Sequence, residues 1–427
     1  MPPLPMDLLL PCGPSTMISL HNALLPPGTL PDARILLAAR ALRAFGDGFV
    51  SLLLPYYLTL LGYSALQIGF LVTATLLGSG VLTLATGFIA HLHSTRRLLL
   101  GASLLMMATG VAASMLTDFW PLLLVAAVGT LNPAASDVTL FSPLEQTLLT
   151  RAAPAQSRTA LFARYSLIGA LVAALGAQTA GLPGFVAGHD STKLLTAIQA
   201  MFVLYALLGA AAFVLYLRLS PALEPEHHDK PVPLGRSRRM VYTLAALFSI
   251  DSFAGGFAVQ SLLALWLFQR FDLSVAAAGT IFFWTGVLTA FSHLAAARIA
   301  ARFGLINTMV FTHLPANVFL ILVPFMPTLE LALLFLFLRS ALSSMDVPAR
   351  TSYVMAVVSP GERPAAASVT AVPRSLASAL SPSLAGALLT ISAFGWPLVI
   401  CGVLKIVYDL SLLKMFSAVK PPEENGR

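Results

Sequence analysis

The sequence predicts an all-α, polytopic membrane protein, and its composition and hydropathy both support that prediction. Of the 427 residues, 57% are hydrophobic and 10% are charged, and the mean hydropathy is +0.84. Water-soluble domains carry about 25% charged residues, so this chain lacks the charged side chains that a surface in water needs. Lipid is therefore expected to be its main solvent, and the lipid bilayer its structural partner.

Twelve apolar stretches follow one another between polar or Gly/Pro-containing breaks, and each is predicted to be a transmembrane helix. A helix needs about 20 apolar residues to cross the hydrocarbon core, and the lack of water there restricts spanning structures to helices and closed barrels. The stretches lie approximately at residues 35–61, 66–90, 97–116, 119–139, 160–183, 193–217, 240–268, 275–297, 306–326, 329–347, 365–391 and 395–417.

The basic residues alternate between connections, and this alternation sets the predicted orientation. One set of alternate connections and span ends holds most of them, among them Arg96, Arg97 and Arg151, whereas the opposite set holds only Lys193 and Arg270. Cytoplasmic loops are enriched in Lys and Arg. The sequence therefore predicts a multi-pass protein of a cell inner membrane, with both termini in the cytoplasm.

The two halves of the chain are predicted to be parallel repeats of six helices each. A shift of 210 positions places Gly69 on Gly279 and Arg164 on Arg374. Repeats of this kind face each other across a central site, and rocking them opens that site alternately to each side. The predicted division is a disordered cytoplasmic tail at 1–33 (or a true start at Met17), an N-terminal six-helix bundle at 34–217, a cytoplasmic linker at 218–239, a C-terminal six-helix bundle at 240–417 and a cytoplasmic tail at 418–427.

Two connections carry a motif that identifies a family resemblance. Residues 87–97 read GFIAHLHSTRR, and residues 297–304 of the second half read ARIAARFG. Gly87 and the paired Arg96 and Arg97 resemble the loop signature of the major facilitator superfamily, although His91 stands where the family has Asp. The second copy keeps the later glycine, Gly304. The chain thus resembles a bacterial major facilitator transporter, which implies twelve helices in two six-helix halves.

The resemblance also implies a cytoplasmic gate that closes when a transporter faces outward. In the family, basic residues of this loop pair with carboxylates on neighbouring helices. Asp137 and Asp346 are the expected partners here, and Arg350 follows Asp346 in a segment that is similar to bacterial members. His91 has two interpretations: a pH-sensitive part of the latch, or a neutral spacer.

Charged residues inside the predicted spans are candidates for proton coupling. Asp47 lies twelve residues after Ile35, about 18 Å along the first span at 1.5 Å per residue, and Asp251 lies at a similar depth in the seventh. Ionisable residues cost about 2.5–3.5 kcal/mol at such depths, so each suggests a function. Either acid could exchange a proton in step with substrate. The alternative is a static pair between Asp47 and Arg43, one helical turn away.

Other intramembrane polar residues have weaker assignments. Arg43, Arg339, Asn132 and Gln260 are the predicted substrate-binding residues. Lys405 and Asp409, four residues apart in the last span, are predicted to form a structural pair. His313 precedes Pro315 by two positions and is expected to satisfy a backbone carbonyl that the proline leaves free.

The motifs that are missing from the sequence narrow the function. There is no Gly-Lys-Ser/Thr phosphate loop, Ser/His/Asp set or metal cluster, so the prediction is neither an enzyme nor a nucleotide-driven pump, and it includes no cofactor, metal or nucleic acid. The sequence favours a monomeric secondary transporter that couples protons to efflux of a small-molecule substrate. A proton-coupled importer and, less favoured, a non-transporting membrane sensor are the alternatives.

Overall fold

The computed structural model describes residues 25–89, 92–135, 139–188, 190–223, 234–235, 237–359 and 362–417, and it is helical throughout these ranges, with short turns between helices. The α-helices of this part of the chain are α1 Asp32–Leu60, α2 Ala65–Ile89, α3 Thr95–Met115, α4 Phe119–Val128, α5 Phe141–Ala152, α6 Ala155–Thr179, α7 Leu182–Ala187, α8 Ser191–Leu217, α9 Arg238–Gly256, α10 Gln260–Phe271, α11 Val275–Phe303, α12 Leu305–Leu322, α13 Leu329–Leu342, α14 Asp346–Val357, α15 Arg363–Ile391 and α16 Trp396–Phe416.

These helices form the twelve predicted spans, three of which are interrupted. The fourth span consists of α4 and α5, the seventh of α9 and α10, and the tenth of α13 and α14. Within the described residues, seven helical segments are long and apolar enough to cross a membrane by length and composition. The first span, α1, is not among them, because its apolar part contains Arg43 and Asp47.

Repeat-related glycines bring the two halves into close contact along two seams. In one seam α2 lies against α15, and a Cβ atom at Gly69 would stand 2.6 Å from the carbonyl oxygen of Pro382. In the other seam α6 lies against α11, and a Cβ atom at Gly279 would stand 2.6 Å from the carbonyl oxygen of Ala177. Real Cβ atoms do not approach backbone so closely, so these helices pack together only because both positions are glycine.

Hydrogen bonds join the two halves between the centre of the bundle and one of its sides. We call the side where α1 begins and α16 ends the termini face, and the opposite side the far face. Five hydrogen bonds join described residues of the two halves in the far part of the bundle. They are Leu66 N to Thr390 Oγ1, Ser383 N to Thr73 Oγ1, Gln178 Nε2 to Thr280 Oγ1, Gln260 Nε2 to Ser51 Oγ and Ser261 N to the Pro133 oxygen.

Among the described residues, nothing comparable closes the termini face around the second span. Gly87, near the end of α2, has no heavy atom within 4 Å of where its Cβ would stand, apart from its own helix and chain neighbours. Among the described residues, the end of the second span is therefore not covered by another helix at Gly87.

The segment before α1 is packed against the first half. The Leu30 backbone N–H donates to the Ala152 oxygen over 2.8 Å, and Ser157 Oγ donates to the Pro27 oxygen over 2.9 Å. The structure thus corrects the inner end of the predicted tail, since residues 25–31 lie on the first half. Residues 1–24, half of the linker 218–239 (224–233 and 236) and the tail 418–427 lie outside the described residues.

Candidate functional site

The interruption of the fourth span shapes a polar site in the first half. Between α4 and α5 the chain leaves the helix, which frees backbone groups that must find other partners in a membrane. The Thr130 N–H donates to Thr109 Oγ1 over 3.2 Å, and Tyr205 Oη donates to the Thr130 oxygen over 2.8 Å. These side chains hold the irregular segment in place and thereby fix the position of Asn132.

Asp47 meets Asn132 at this interruption. The Asn132 Nδ2 donates to Asp47 Oδ2 over 3.1 Å, and Asn132 and Asp47 are 4% and 5% exposed, respectively. Both line a narrow cavity of about 20 Å³ within the first half. Its other lining residues are Arg43, Leu76, Ser79, Leu82, Met106, Gly129, Thr130, Leu131, Thr139, Leu140, Phe141 and Tyr205. The structure thus brings together three of the predicted site residues: Arg43, Asp47 and Asn132.

Arg43 pairs with Glu145 of α5, and the alternative of a static ion pair between Arg43 and Asp47 is therefore wrong. Arg43 Nη2 contacts Glu145 Oε2, and both side chains are fully or almost fully buried. Tyr165 and Tyr216 each donate a hydroxyl hydrogen bond of 2.6 Å to the same carboxylate. Glu145 therefore has three donors, which is the environment that a buried carboxylate requires. Arg43 is the cation that neutralises it.

Sequence analysis missed Glu145 because the predicted fourth span ends at residue 139. The interruption extends this span to Ala152, and residues 141–149, FSPLEQTLL, place Glu145 among apolar positions. A lone acid within an apolar helical pattern is the signal that could have identified it.

Asp251 of α9 is bound by two cations from other spans. Arg350 Nη2 lies 2.9 Å from Asp251 Oδ2, and Lys405 Nζ lies 2.6 Å from Asp251 Oδ1. Arg350 also pairs with Asp346, four residues earlier on α14. The expected pair of Lys405 with Asp409 is therefore wrong, because Lys405 reaches the seventh span. Asp346, the expected partner of a loop arginine, is paired within its own helix.

Asp409 forms a separate buried cluster with α12. Its Oδ1 lies 2.9 Å from His313 Nδ1, and its Oδ2 accepts a 3.0 Å hydrogen bond from Asn317 Nδ2. His313 thus faces the last span, and the expectation that it satisfies a carbonyl freed by Pro315 is wrong. A fully buried carboxylate needs donors, and these two side chains supply them.

The remaining substrate-binding candidates lie apart from the cavity beside Asp47. Gln260 begins α10 and donates to Ser51 across the two halves. Arg339 lies near the middle of the tenth span, and its buried Nε has no hydrogen-bond acceptor among the described residues. Neither residue lines the cavity beside Asp47.

The sequence places the predicted gate residues at the ends of spans, and those that the structure describes have contacts within their own halves. Arg96 donates to the carbonyl oxygens of Tyr216 and Leu217 at the end of α8, in its own half. The Arg97 N–H is capped by Ser94 Oγ, and Gly304 connects α11 to α12 with a φ of +88°. His91 and Asp137 lie outside the described residues. The latch stays a prediction for a state in which the termini face is closed.

The chain is similar to transporters in sequence and in fold. The family model described as Major Facilitator Superfamily matches residues 36–342 and 252–427. An uncharacterized membrane protein of Saccharomyces cerevisiae, YJR124C, is 26% identical over 425 residues, covering 91% of this chain and 94% of that protein. The nucleoside transporter NupG superposes with a TM-score of 0.70 and 16% identity over 91% of this chain and 99% of that one. A D-xylose–proton symporter superposes with a TM-score of 0.70 and 15% identity over 92% and 99% of the two chains.

Proposed function

Because this chain belongs to the Major Facilitator Superfamily, whose fold is that of secondary transporters, we propose that it couples protons to the export of a small molecule. Asp47 is the proton-binding residue of this proposal, and the cavity beside it receives the substrate. Export is the proposed direction, since the largely apolar spans suit an amphipathic cargo. The predicted orientation places the protein in a cell inner membrane with both termini in the cytoplasm, so the termini face is the cytoplasmic side and, in this proposal, the side from which the substrate enters.

The observation that carries the proposal is the partner of Asp47. Its hydrogen-bond donor is the neutral amide of Asn132, and among the residues that the structure describes no cation lies within ion-pair distance of it. Arg43, one turn away, contacts Glu145. A proton can therefore bind Asp47 without breaking an ion pair, although the buried Arg40 and Arg43 lie on the same helix. In this proposal the cavity is the route of that proton.

Asp251 is a weaker candidate for the same role. Its carboxylate contacts both Arg350 and Lys405, so a proton on Asp251 would leave Lys405 without its anion in the interior of the second half. Such an arrangement keeps the carboxylate charged. Asp251 is better suited to holding the seventh, tenth and twelfth spans together.

The substrate contacts follow from the same cavity. Asn132, Thr130 and Ser79 offer hydrogen bonds, while Leu76, Met106 and other apolar side chains line the rest. Arg43 contributes its positive charge at the cavity wall, although its Nη2 is engaged by Glu145. This lining suits a small compound that combines a polar end with an apolar body.

Proton flux in everted membrane vesicles tests the proposal. Respiration acidifies the vesicle lumen, and a pH-sensitive dye reports the gradient while organic cations, organic anions, metalloids and sugars are added in turn. The proposal predicts that one class collapses the gradient in vesicles with wild-type protein, and that Asp47→Asn abolishes the response. Asp251→Asn, where it is inserted and folded, is expected to keep proton exchange. Silence across the panel with verified protein would contradict export, and substrate uptake driven by an inward proton gradient in whole cells would establish import instead.

A further inference from the structure

The interruptions of the fourth and seventh spans meet at the centre of the bundle. Helix α10 restarts at Gln260, and its first backbone N–H groups have no partner within the helix. The Ser261 N–H donates over 3.0 Å to the oxygen of Pro133, which lies in the irregular segment between α4 and α5. The interruption of the seventh span thus frees the Ser261 N–H as a donor. The interruption of the fourth span frees the Pro133 oxygen that accepts its hydrogen bond.

A second hydrogen bond accompanies the first. Gln260 Nε2 donates over 2.9 Å to Ser51 Oγ of α1, while Ser51 Oγ itself donates to the Gly48 oxygen over 2.8 Å. We call these two contacts between the halves, Gln260 to Ser51 and Ser261 to Pro133, the central seal. Of the five hydrogen bonds between the halves given above, these two involve the first, fourth and seventh spans.

Both acceptors of the central seal are tied to the proton site. Ser51 lies one helical turn after Asp47 on α1. Pro133 directly follows Asn132, whose amide donates to Asp47. The position of the Pro133 carbonyl therefore depends on the same short segment that Asp47 holds through Asn132.

We propose that Asn132 is a positioning residue that transmits the charge of Asp47 to the central seal. The inference rests on the proposed function, since it assumes that Asp47 changes its charge during transport. A hydrogen bond from an amide to a carboxylate is about twice as strong as one to a neutral acceptor. Ionised Asp47 therefore holds Asn132 and Pro133 where Ser261 needs its acceptor, and neutral Asp47 holds them less tightly.

The consequence for an exporter is that the protein without substrate stays closed at the far face. After Asp47 releases its proton to the termini face, the charged carboxylate keeps the far side closed. A substrate that enters the cavity competes with Asn132 for Asp47 and weakens the hold on the central seal. The halves then rock and open at the far face, where Asp47 takes up a proton again. Uncoupled return of the empty protein is suppressed in this way.

Distances between the halves at the far face test the inference. Nitroxide labels are attached to Thr192→Cys of the first half and Ala393→Cys of the second, at positions near the far face, in a protein with Cys12→Ser and with the fully buried Cys401 retained. Double electron–electron resonance gives the ratio of open to closed far faces. Asp47→Asn, which mimics the protonated acid, is expected to raise that ratio about two- to ten-fold, the effect of weakening one hydrogen bond.

Combined variants separate the proposed route from a general loosening. Asn132→Ala should raise the ratio as Asp47→Asn does, and the double variant should show no further increase. Gln178→Ala is the matched control, because it removes the hydrogen bond from Gln178 to Thr280 between the halves without contacting the proton site. In that background Asp47→Asn should retain its full effect.

Two outcomes would overturn the inference while leaving the proposed function standing. One is a full Asp47→Asn shift in the Asn132→Ala background, which would show that the charge acts by another route. The other is an unchanged distance distribution in folded Asp47→Asn protein whose wild type shows compound-dependent proton flux. Absence of that flux from the wild type would instead remove the proposed function itself.

Discussion

Asp47 and Asp251 occupy corresponding spans of the two halves, yet their surroundings differ in charge. The second-half acid contacts Arg350 and Lys405, whereas the first-half acid is held by the neutral Asn132. The first half also has a buried cation on the same helix, but Glu145 binds Arg43 and leaves Asp47 outside that pair. Both halves therefore carry a buried acid in their first span, but at positions that the repeat shift of 210 does not relate, and with different surroundings.

The comparison teaches that the residues in contact with a buried acid, rather than its depth in the membrane, decide its role. They determine whether its charge holds the fold together or can be exchanged for a proton. A buried ion pair resists the loss of either charge, because the remaining partner is left uncompensated. A carboxylate with a neutral donor beside a cavity meets no such barrier. One half thus supplies a fixed charge cluster, and the other supplies the acid that we propose to exchange protons.

The largest expected effect comes from Glu145→Ala in the first half. This change leaves Arg43 buried without its anion and removes the acceptor of the Tyr165 and Tyr216 hydroxyls, so the free energy of unfolding should fall by about 3–5 kcal/mol. Thermal unfolding of the purified protein in detergent measures it. Glu330→Ala provides the matched control, since Glu330 is exposed in the first turn of α13 and its loss should leave the stability almost unchanged. Equal stability of the two variants would contradict the account of the Arg43 cluster.

A direct comparison of the two acids should show that substitution of Asp251 mainly lowers stability, whereas substitution of Asp47 mainly abolishes proton flux. Asp251→Asn weakens charged contacts to Arg350 and Lys405 and is expected to cost about 1.5–3 kcal/mol, whereas Asp47→Asn changes one hydrogen bond from a neutral donor and should cost about 0.5–1.5 kcal/mol. Denaturation of both variants, alongside their proton flux, provides the test. If Asp47→Asn were less stable than Asp251→Asn and still exchanged protons, the roles assigned to the two acids would be reversed.

The seams, where the halves are alike, provide the last comparison. Gly69→Ala and Gly279→Ala each place a methyl group 2.6 Å from a backbone oxygen of the other half. Each should disfavour the closed far face by about 1–3 kcal/mol, the range for overpacking, as read from distances between labels. Gly87→Ala should leave the distances unchanged because open space surrounds that position. Unequal effects at Gly69 and Gly279 would show that the asymmetry of the halves extends beyond their charges.

The fold was predictable from the sequence because hydropathy and spacing act over whole spans. Twelve apolar stretches, the shift that relates Gly69 to Gly279 and the motif at residues 87–97 led to the fold class and the family, and both are confirmed. The interruptions of the fourth, seventh and tenth spans were not predicted. Apolar composition continues through them, so a hydropathy pattern records no change there.

The site was predictable in its residues and less so in its contacts. Asp47, Arg43 and Asn132 do line one cavity. The pairs of Arg43 with Asp47 and of Lys405 with Asp409 were inferred from a spacing of four residues, which permits contact on one helix face but does not require it. The buried cations instead pair with carboxylates on other spans: Arg43 with Glu145, and Lys405 with Asp251. Contacts of this kind depend on how the helices pack, which local spacing does not encode.

Infrared difference spectroscopy of the purified protein during a pH titration tests the central claim most directly, because it needs no substrate. Protonation of a buried carboxylate creates a carboxylic C=O stretching band. The account predicts that this band forms in the wild type and in Asp251→Asn, and that the band assigned to the cavity acid is missing from Asp47→Asn. A band that survives unchanged in Asp47→Asn but disappears in Asp251→Asn would contradict the account and move the proton site to the second half.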